Sequence, residues 1–196
     1  FYGSTGGLAS GFANADWTAE TDESAAQFGF CVASAGDVDG DGDDEVVVGA
    51  VGASSYGKVY LYYGSLAGPS NVPDWSQECQ NDFDACTMGW SVAGVGDLQG
   101  DGYDDVGYGA PWFTNDNDTY EGRVFVHHGS ASGIPTLPSW FKESHLSWGH
   151  LGIAVSAAGD VDGDGCGDLI VGADTYTHGE FHEGLVLLYP GSCGVI

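Results

Sequence analysis

The fold is decided by Asp37-Val-Asp-Gly-Asp-Gly-Asp-Asp-Glu45, an acidic loop that runs directly into the apolar segment Val46-Val-Val-Gly-Ala50. The same arrangement recurs at two later points of the chain. The related loops are Asp97-Leu-Gln-Gly-Asp-Gly-Tyr-Asp-Asp105 and Asp160-Val-Asp-Gly-Asp-Gly-Cys-Gly-Asp168. Because self-similarity at a regular spacing is the signature of repeat architectures, the sequence predicts a repeat protein.

Short apolar runs surround each acidic loop. A second run follows the first after a polar connection and ends in a Gly-Ser turn in every unit; these runs are Lys58–Tyr63, Arg123–His128 and Leu185–Tyr189. Runs rich in Val, Tyr and Phe that are bounded by Gly, Pro and Asn predict strands rather than helices. Trp17, Trp75 and Trp140 mark a further strand in each unit. The predicted fold class is therefore all-β, with β-propeller blades of about four antiparallel strands in roughly 60 residues each.

The repeat frame divides the chain into four parts. We expect residues 1–27 to be the end of a preceding repeat, 28–87 and 88–150 to be two complete repeats, and 151–196 to be an incomplete third. We therefore expect three blades plus complementary partial-blade ends. A propeller closes with about four to eight blades. The expected partners are thus further blades of a longer chain, or other copies of this chain that add a strand head-to-tail and form a ring or a filament.

Each acidic loop is predicted to bind one Ca²⁺, up to three in all. Oxygens at the first, third and fifth positions converge on one hard cation, glycine at the sixth permits the sharp turn, and the seventh offers its backbone carbonyl. A carboxylate at the ninth position completes an all-oxygen set that suits calcium better than magnesium or zinc. The predicted ligands are Asp37, Asp39, Asp41, Asp43 and Glu45; Asp97, Gln99, Asp101, Tyr103 and Asp105; and Asp160, Asp162, Asp164, Cys166 and Asp168. The second loop, with the neutral Gln99, is expected to bind most weakly.

The charge of the chain excludes some classes of partner. Only 3 Lys and Arg residues oppose 29 Asp and Glu residues, which gives a net charge of −26. Nucleic acids and anionic membranes attract basic surfaces, so neither is an expected partner. No stretch approaches the roughly 20 apolar residues that a membrane-spanning helix needs, so no membrane insertion is expected. Bound cations would neutralise much of this charge, because the three loops carry 14 of the 29 acidic residues.

Cysteine usage predicts an oxidising, extracellular setting for a secreted or cell-surface protein. Cys79 and Cys86 bracket a short polar loop and are predicted to form a disulfide. Cys31, Cys166 and Cys193 cannot all pair within one chain, so their pairing is left open. Asn117 begins an Asn-Asp-Thr triplet and is a candidate glycosylation site.

The sequence predicts no catalytic residue, and hence a protein that is not an enzyme. His127 and His128 stand where the first unit has Tyr62 and Tyr63, which favours strand packing. The segment His178-Gly-Glu-Phe-His-Glu183 differs from the His-Glu-x-x-His zinc motif. Neither a nucleophile elbow nor a phosphate-binding loop is present. Aromatic rings stack on sugars, so Trp112 and Phe113 are candidate ligand-binding residues, and a carbohydrate-binding, lectin-like module is the alternative function.

The first unit resembles the FG-GAP repeat through Phe28-Gly29, the acidic loop and Val48-Gly-Ala50. The later units carry the corresponding pairs of segments, which are Met88-Gly89 with Gly109-Ala-Pro111 and Leu151-Gly152 with Gly172-Ala-Asp174. FG-GAP repeats build the β-propeller of integrin α subunits and occur in secreted proteins. The resemblance implies that each calcium loop is the hairpin between the first two strands of a blade. It also implies an extracellular adhesive or structural role, or an accessory region of a larger secreted enzyme or receptor, with an extracellular protein or glycan as ligand.

Overall fold

The computed structural model describes residues 15–79, 86–115 and 118–193, and within these ranges it is almost entirely β-structure. Three antiparallel sheets follow one another along the chain. The first contains β1 Phe28–Gly36, β2 Glu45–Ala50, β3 Lys58–Tyr62 and β4 Trp75–Glu78; the second contains β5 Ser91–Gly96, β6 Asp105–Ala110, β7 Arg123–His127 and β8 Trp140–Glu143; the third contains β9 Leu151–Gly159, β10 Asp168–Ala173 and β11 Leu185–Tyr189. The prediction of an all-β fold of propeller blades is confirmed.

The acidic loops are the hairpins between the first two strands of every sheet. Each hairpin is closed by a glycine that pairs with the ninth residue of the loop: Gly36 with Glu45, Gly96 with Asp105, and Gly159 with Asp168. The ladder shifts its register beside each of these pairs, which marks a bulge at the mouth of the loop. This is the placement that the FG-GAP resemblance implies.

The core lies between successive sheets. Val59 and Leu61 of β3 pack with Val92 and Tyr108 of the second sheet in one buried cluster. A second cluster joins the second and third sheets in the same way. It contains Val124 and Val126 of β7 together with Val155, Leu169 and Val171. Each sheet therefore buries its apolar face against the next one, as blades of a propeller do.

The predicted tryptophan strands are present in two of the three places. Trp75 lies in β4 and Trp140 in β8, but Trp17 does not lie in a strand. Trp75 pairs with Leu61 of the neighbouring strand β3, and Trp140 pairs with Val126 of the neighbouring strand β7. No described strand outside the first sheet lies beside Trp17 to supply such a ladder, so the strand prediction at this residue is wrong.

Trp17 nevertheless makes the contacts of its counterpart Trp75. Its ring packs edge-on against Tyr62 at 5.2 Å, and its Nε1–H donates to the carbonyl of Ser70 at 3.0 Å. Trp75 packs against His127 at 5.0 Å and donates to the carbonyl of Pro135 at 3.2 Å. The tryptophan is thus a repeated contact with the third strand of the following sheet.

Paired glycines bring successive sheets into backbone contact at the end away from the acidic loops. A Cβ atom on Gly49 would lie 2.0 Å from the carbonyl oxygen of Gly89, and one on Gly109 would lie 1.8 Å from that of Gly152. Such distances leave no room for a side chain. The two halves of the FG-GAP motif therefore meet across the boundary between neighbouring units, the GAP glycine of one against the FG glycine of the next.

In the part of the chain that the structure describes, none of the helical segments has the length and apolar character needed to cross a bilayer.

We expect Gly109→Ala to lower the free energy of unfolding by roughly 1–3 kcal/mol, because the new methyl group would force the second and third sheets apart. Gly172→Ala is the matched control, since its Cβ would lie 3.5 Å from Ala154 Cβ, an ordinary contact. Urea denaturation of both variants at one calcium concentration measures the difference. Equal stability of the two variants would contradict the proposed glycine contact.

Candidate metal sites

The first aspartate of each acidic loop folds the loop around its own carboxylate. Asp37 Oδ1 accepts the N–H groups of Gly40 at 2.7 Å and Asp41 at 3.0 Å, and Oδ2 accepts that of Gly42 at 3.0 Å. Asp97 and Asp160 make the same three bonds within their loops. Three loops of different sequence thus share one hydrogen-bond pattern.

The fifth position continues this pattern. Asp41, Asp101 and Asp164 each accept the N–H of the residue two places later, at 2.9, 3.2 and 2.8 Å. The turn needs a left-handed glycine at the sixth position, where the φ angles of Gly42, Gly102 and Gly165 are 95°, 91° and 96°. An L-residue with a side chain rarely adopts this conformation, which explains the repeated Asp-Gly pair.

The ninth residue has a structural task that the sequence did not reveal. Glu45, Asp105 and Asp168 are buried, and each carboxylate accepts two backbone N–H groups. One comes from the second residue of the same loop and the other from the glycine of the Gly-Ser turn after the third strand. These donors are Val38 at 2.6 Å and Gly64 at 3.2 Å, Leu98 at 3.0 Å and Gly129 at 2.9 Å, and Val161 at 2.7 Å and Gly191 at 2.9 Å. The signal in the sequence was the Gly-Ser turn recurring in register with the loops.

The electrostatics of the first loop favour a bound cation. Burial raises the pKa of Glu45 to about 7, and the negative charges of Asp39 and Asp37 act in the same direction. Burial also raises the pKa of Asp39, with Asp41 and Asp37 contributing. A divalent cation among these carboxylates would offset both effects, because it stabilises their ionised forms.

Carboxylates converge in the first and third loops at a spacing that fits calcium. Oxygens of Asp37, Asp39 and Glu45 lie within 4.8 Å of one another, as do those of Asp160, Asp162 and Asp168. Calcium binds oxygens at about 2.3–2.6 Å, so ligands on opposite sides of the ion lie about 5 Å apart. The donor set present in these two loops therefore fits Ca²⁺.

The second loop differs at two points. Gln99 turns its amide Nε2 toward Asp101 Oδ2 at 2.7 Å, and His128 Nδ1 lies 3.1 Å from Asp105 Oδ2. The hydrogen bond to Asp105 raises the pKa of His128. A neutral third position and a basic neighbour of the ninth residue both weaken the attraction for a cation.

Backbone bonds from the loops connect each sheet to the next. The backbone carbonyl of the first loop residue accepts the N–H of the eighth residue of the following loop. The backbone carbonyl of the second loop residue accepts the N–H of the serine in the Gly-Ser turn of the following sheet. The pairs are Asp104 to Asp37 at 3.0 Å, Gly167 to Asp97 at 2.8 Å, Ser130 to Val38 at 3.0 Å and Ser192 to Leu98 at 2.8 Å. The conformation of the first and second loops therefore sets the position of the sheet that follows each of them.

The seventh residue also touches the preceding loop. A Cβ on Gly40 would lie 2.7 Å from the ring of Tyr103, and one on Gly100 would lie 2.7 Å from Cys193 Sγ. Cys193 reaches this place because it forms a disulfide with Cys166, the seventh residue of the third loop. A bulky side chain or a disulfide at this position thus covers the glycine of the neighbouring loop.

The structure contains two disulfides within the described residues. Cys79 and Cys86, the predicted pair, are joined, with their Cα atoms 6.3 Å apart. The pairing that the sequence left open is Cys166 with Cys193, and Cys31 carries a free thiol. The candidate glycosylation site Asn117 lies outside the described residues.

The two candidate ligand-binding aromatics have different surroundings. Phe113 is buried, with the guanidinium carbon of Arg123 3.6 Å from its ring centroid. Trp112 is half-buried between Trp90 at 4.4 Å and His150 at 5.3 Å, and Phe30 continues the row at 4.7 Å from Trp90. We call these four residues the aromatic row; it spans the three sheets at the end away from the acidic loops.

His127 behaves as a packing residue. His127 is buried between the hydroxyl of Tyr108 at 2.8 Å and the carbonyl of Pro135 at 2.9 Å, and burial lowers its pKa to about 4. In the segment His178–Glu183, the backbone N–H of His178 donates to Glu183 at 2.7 Å. Among the described residues, neither His178 nor His182 belongs to a group of converging metal ligands.

Comparison with known proteins gives consistent matches. The FG-GAP repeat family model matches residues 88–127 and 151–189. Phosphatidylinositol-glycan-specific phospholipase D of Rattus norvegicus is 33% identical over 174 residues, which are 84% of this chain and 20% of that protein. Integrin alpha-5 of Xenopus laevis is 30% identical over 78% of this chain and 15% of its own length. Integrin alpha-PS2 of Drosophila melanogaster is 34% identical over 80% of this chain and 11% of its own length. The chain thus spans a fifth or less of these relatives.

Proposed function

The chain is an FG-GAP repeat protein, and on this basis we propose that it is an extracellular, calcium-stabilised structural or adhesive module with no catalytic activity of its own. One observation carries the proposal: the acidic loops, two of which gather carboxylates, also carry the backbone bonds that join each sheet to the next. A cation that fixes the loops would therefore fix the arrangement of the blades.

Repulsion within the loops supports the role of calcium. Carboxylates a few ångströms apart repel one another, and at the protein surface this costs on the order of 1 kcal/mol or more for each close pair. The ninth carboxylate is buried, so solvent cannot screen it fully. Calcium binding would replace this repulsion by attraction, and its binding free energy would add to the stability of the folded blades.

Two observations support an extracellular location. Disulfides persist in oxidising compartments, and the described residues contain two of them. The relatives include integrin alpha chains and a phospholipase D. The match covers only 20% of the phospholipase. A module that is not itself catalytic can therefore be an accessory region of a larger enzyme.

We further propose that the module docks head-to-tail on a second copy of the chain. Val59 and Val124 are both 0% exposed because the following sheet covers them, whereas Val186, their counterpart in β11, is 67% exposed. At the opposite face, Val92 and Val155 are buried, but their counterpart Val32 is 62% exposed. The two exposed faces thus correspond to the two sides of the interface that joins neighbouring sheets within the chain. The exposed face of the third sheet in one copy would therefore fit the exposed face of the first sheet in another.

A carbohydrate ligand is the second candidate function. The observation that favours it is the aromatic row, in which Phe30 is exposed and Trp90, Trp112 and His150 are half-buried. Aromatic rings of this kind offer apolar faces to sugar rings. Because Phe113 is buried, the proposal concerns Trp112 and its neighbours in the row.

We expect a chelator in excess to lower the melting temperature by several degrees or more, since a calcium-dependent stabilisation of a few kcal/mol corresponds to about 2–8 °C for each kcal/mol. Gln99→Asp should tighten the weakest site and raise the melting temperature in calcium but not in chelator. Calorimetric titration with Ca²⁺ and thermal melts measure both effects. An unchanged melt in excess chelator would refute the structural role of calcium.

The docking proposal predicts that the apparent mass in calcium rises above the 20.3 kDa of one chain as concentration increases. Val186→Lys should keep the protein monomeric, because it places a charge in the apolar interface. Leu137→Lys is the control, since Leu137 is also exposed but lies in the β7–β8 connection of the second sheet, not in the first or the third sheet. Light scattering over a concentration series is the measurement. A wild-type protein that stays monomeric throughout would contradict the proposal.

A further inference from the structure

A second group of possible metal ligands lies in the second sheet, at the end away from its acidic loop. Glu121 precedes β7, Glu143 ends β8 and His145 follows it. The register explains their meeting, because Arg123 pairs with Glu143 across the two strands. A carboxylate oxygen from each glutamate and a ring nitrogen of His145 lie within 4.8 Å of one another.

Glu121 is the unusual member of this group. It is fully buried, and its Oε1 has no hydrogen-bond partner among the described residues. Its Oε2 accepts the backbone N–H of His145 at 3.1 Å. A buried carboxylate oxygen without a partner costs free energy, so its presence points to a partner that the described residues do not supply.

The distances suit a small ion that accepts nitrogen as well as oxygen. His145 Nδ1 lies 3.7 Å from Glu121 Oε2 and 3.8 Å from Glu143 Oε2. Ligands around a tetrahedral zinc ion, each at about 2.1 Å, lie about 3.4 Å apart, so small side-chain movements suffice. Imidazole with two carboxylates favours zinc over calcium, which takes oxygen ligands alone.

We propose that Glu121, Glu143 and His145 form a zinc site, with water as the fourth ligand. It is separate from the calcium loops and does not rest on the function proposed for them. Each protein ligand comes from a different position along the β7–β8 hairpin. The ion would therefore tie the segment after β8 to the start of β7.

The neighbouring charges leave the site available to a cation. Arg123 forms an ion pair with Glu143 through Oε1, which leaves Oε2 on the side of His145. The amide of Asn115 lies 3.4 Å from the same Oε2, a long hydrogen bond that is readily replaced. Asp118 adds a further negative charge near Glu121. The carboxylates thus outnumber the single guanidinium.

The first sheet does not repeat the site. The residue that corresponds to Glu121 in the first sheet is Tyr56, and Glu78 there pairs with Lys58. A proton is the alternative partner for Glu121, since burial raises its pKa. Protonation would satisfy the carboxyl group without any ion, and the experiment has to separate these two cases.

The experiment titrates Zn²⁺ into the protein with Ca²⁺ in excess, so that the acidic loops are occupied. We expect one zinc ion to bind, and His145→Asn to weaken its Kd about tenfold or more. Asparagine tolerates the φ of 54° at this exposed position, so the variant should fold normally. Co²⁺ in place of Zn²⁺ should give visible absorption bands in the wild type that the variant loses.

His182→Asn is the matched control, because His182 is also exposed, has a φ of 55° and lies outside the cluster. It should leave zinc affinity and the cobalt spectrum unchanged. Absence of zinc binding, or equal affinity in wild type and His145→Asn, would overturn the proposal and leave a protonated Glu121 as the explanation. Neither result would alter the calcium dependence of the melt, so the two proposals fail separately.

Discussion

Carboxylate crowding in the acidic loops is the constraint on which the rest of the structure depends. Each loop folds around its first aspartate and is tied to the third strand by its buried ninth carboxylate. In the first two loops, two backbone carbonyls on the outer side also hold the next sheet. Because one short segment carries both the repelling charges and the bonds between sheets, anything that neutralises the charges also stabilises the packing of the blades.

The opposite end of the sheets depends on close approach rather than on charge. There Gly49 meets Gly89, and Gly109 meets Gly152, with no space for a Cβ atom. The same end carries the aromatic row and the proposed zinc ligands, so the two ends of each blade differ in chemistry. The two ends would therefore have different functions. The loop end would use calcium to fix the arrangement of the blades, and the glycine end would present side chains to partners.

The sequence predicted the features that repeat and missed those that depend on a neighbouring unit. The three registered loops and the apolar runs around them were enough to predict the all-β fold, and the resemblance to FG-GAP repeats implied the loop hairpins. The burial of Glu45 and its bond to Gly64 were not predicted, since that contact crosses two strands. Trp17 was placed in a strand because it matches Trp75, but a strand also needs a partner, which a pattern within one segment cannot supply. The proposed zinc ligands were not predicted, because the first unit does not repeat them and they come together only when β7 and β8 pair.

Amide hydrogen exchange at the bonds between sheets reports directly on whether calcium holds the blades together. We expect that removing calcium lowers the protection of the Asp104, Ser130, Gly167 and Ser192 amides by about tenfold or more. The amides within the central strand β6 should lose less, because their ladders do not involve the loops. Equal protection of the four amides with and without calcium would contradict the claim that the ions hold the blades together.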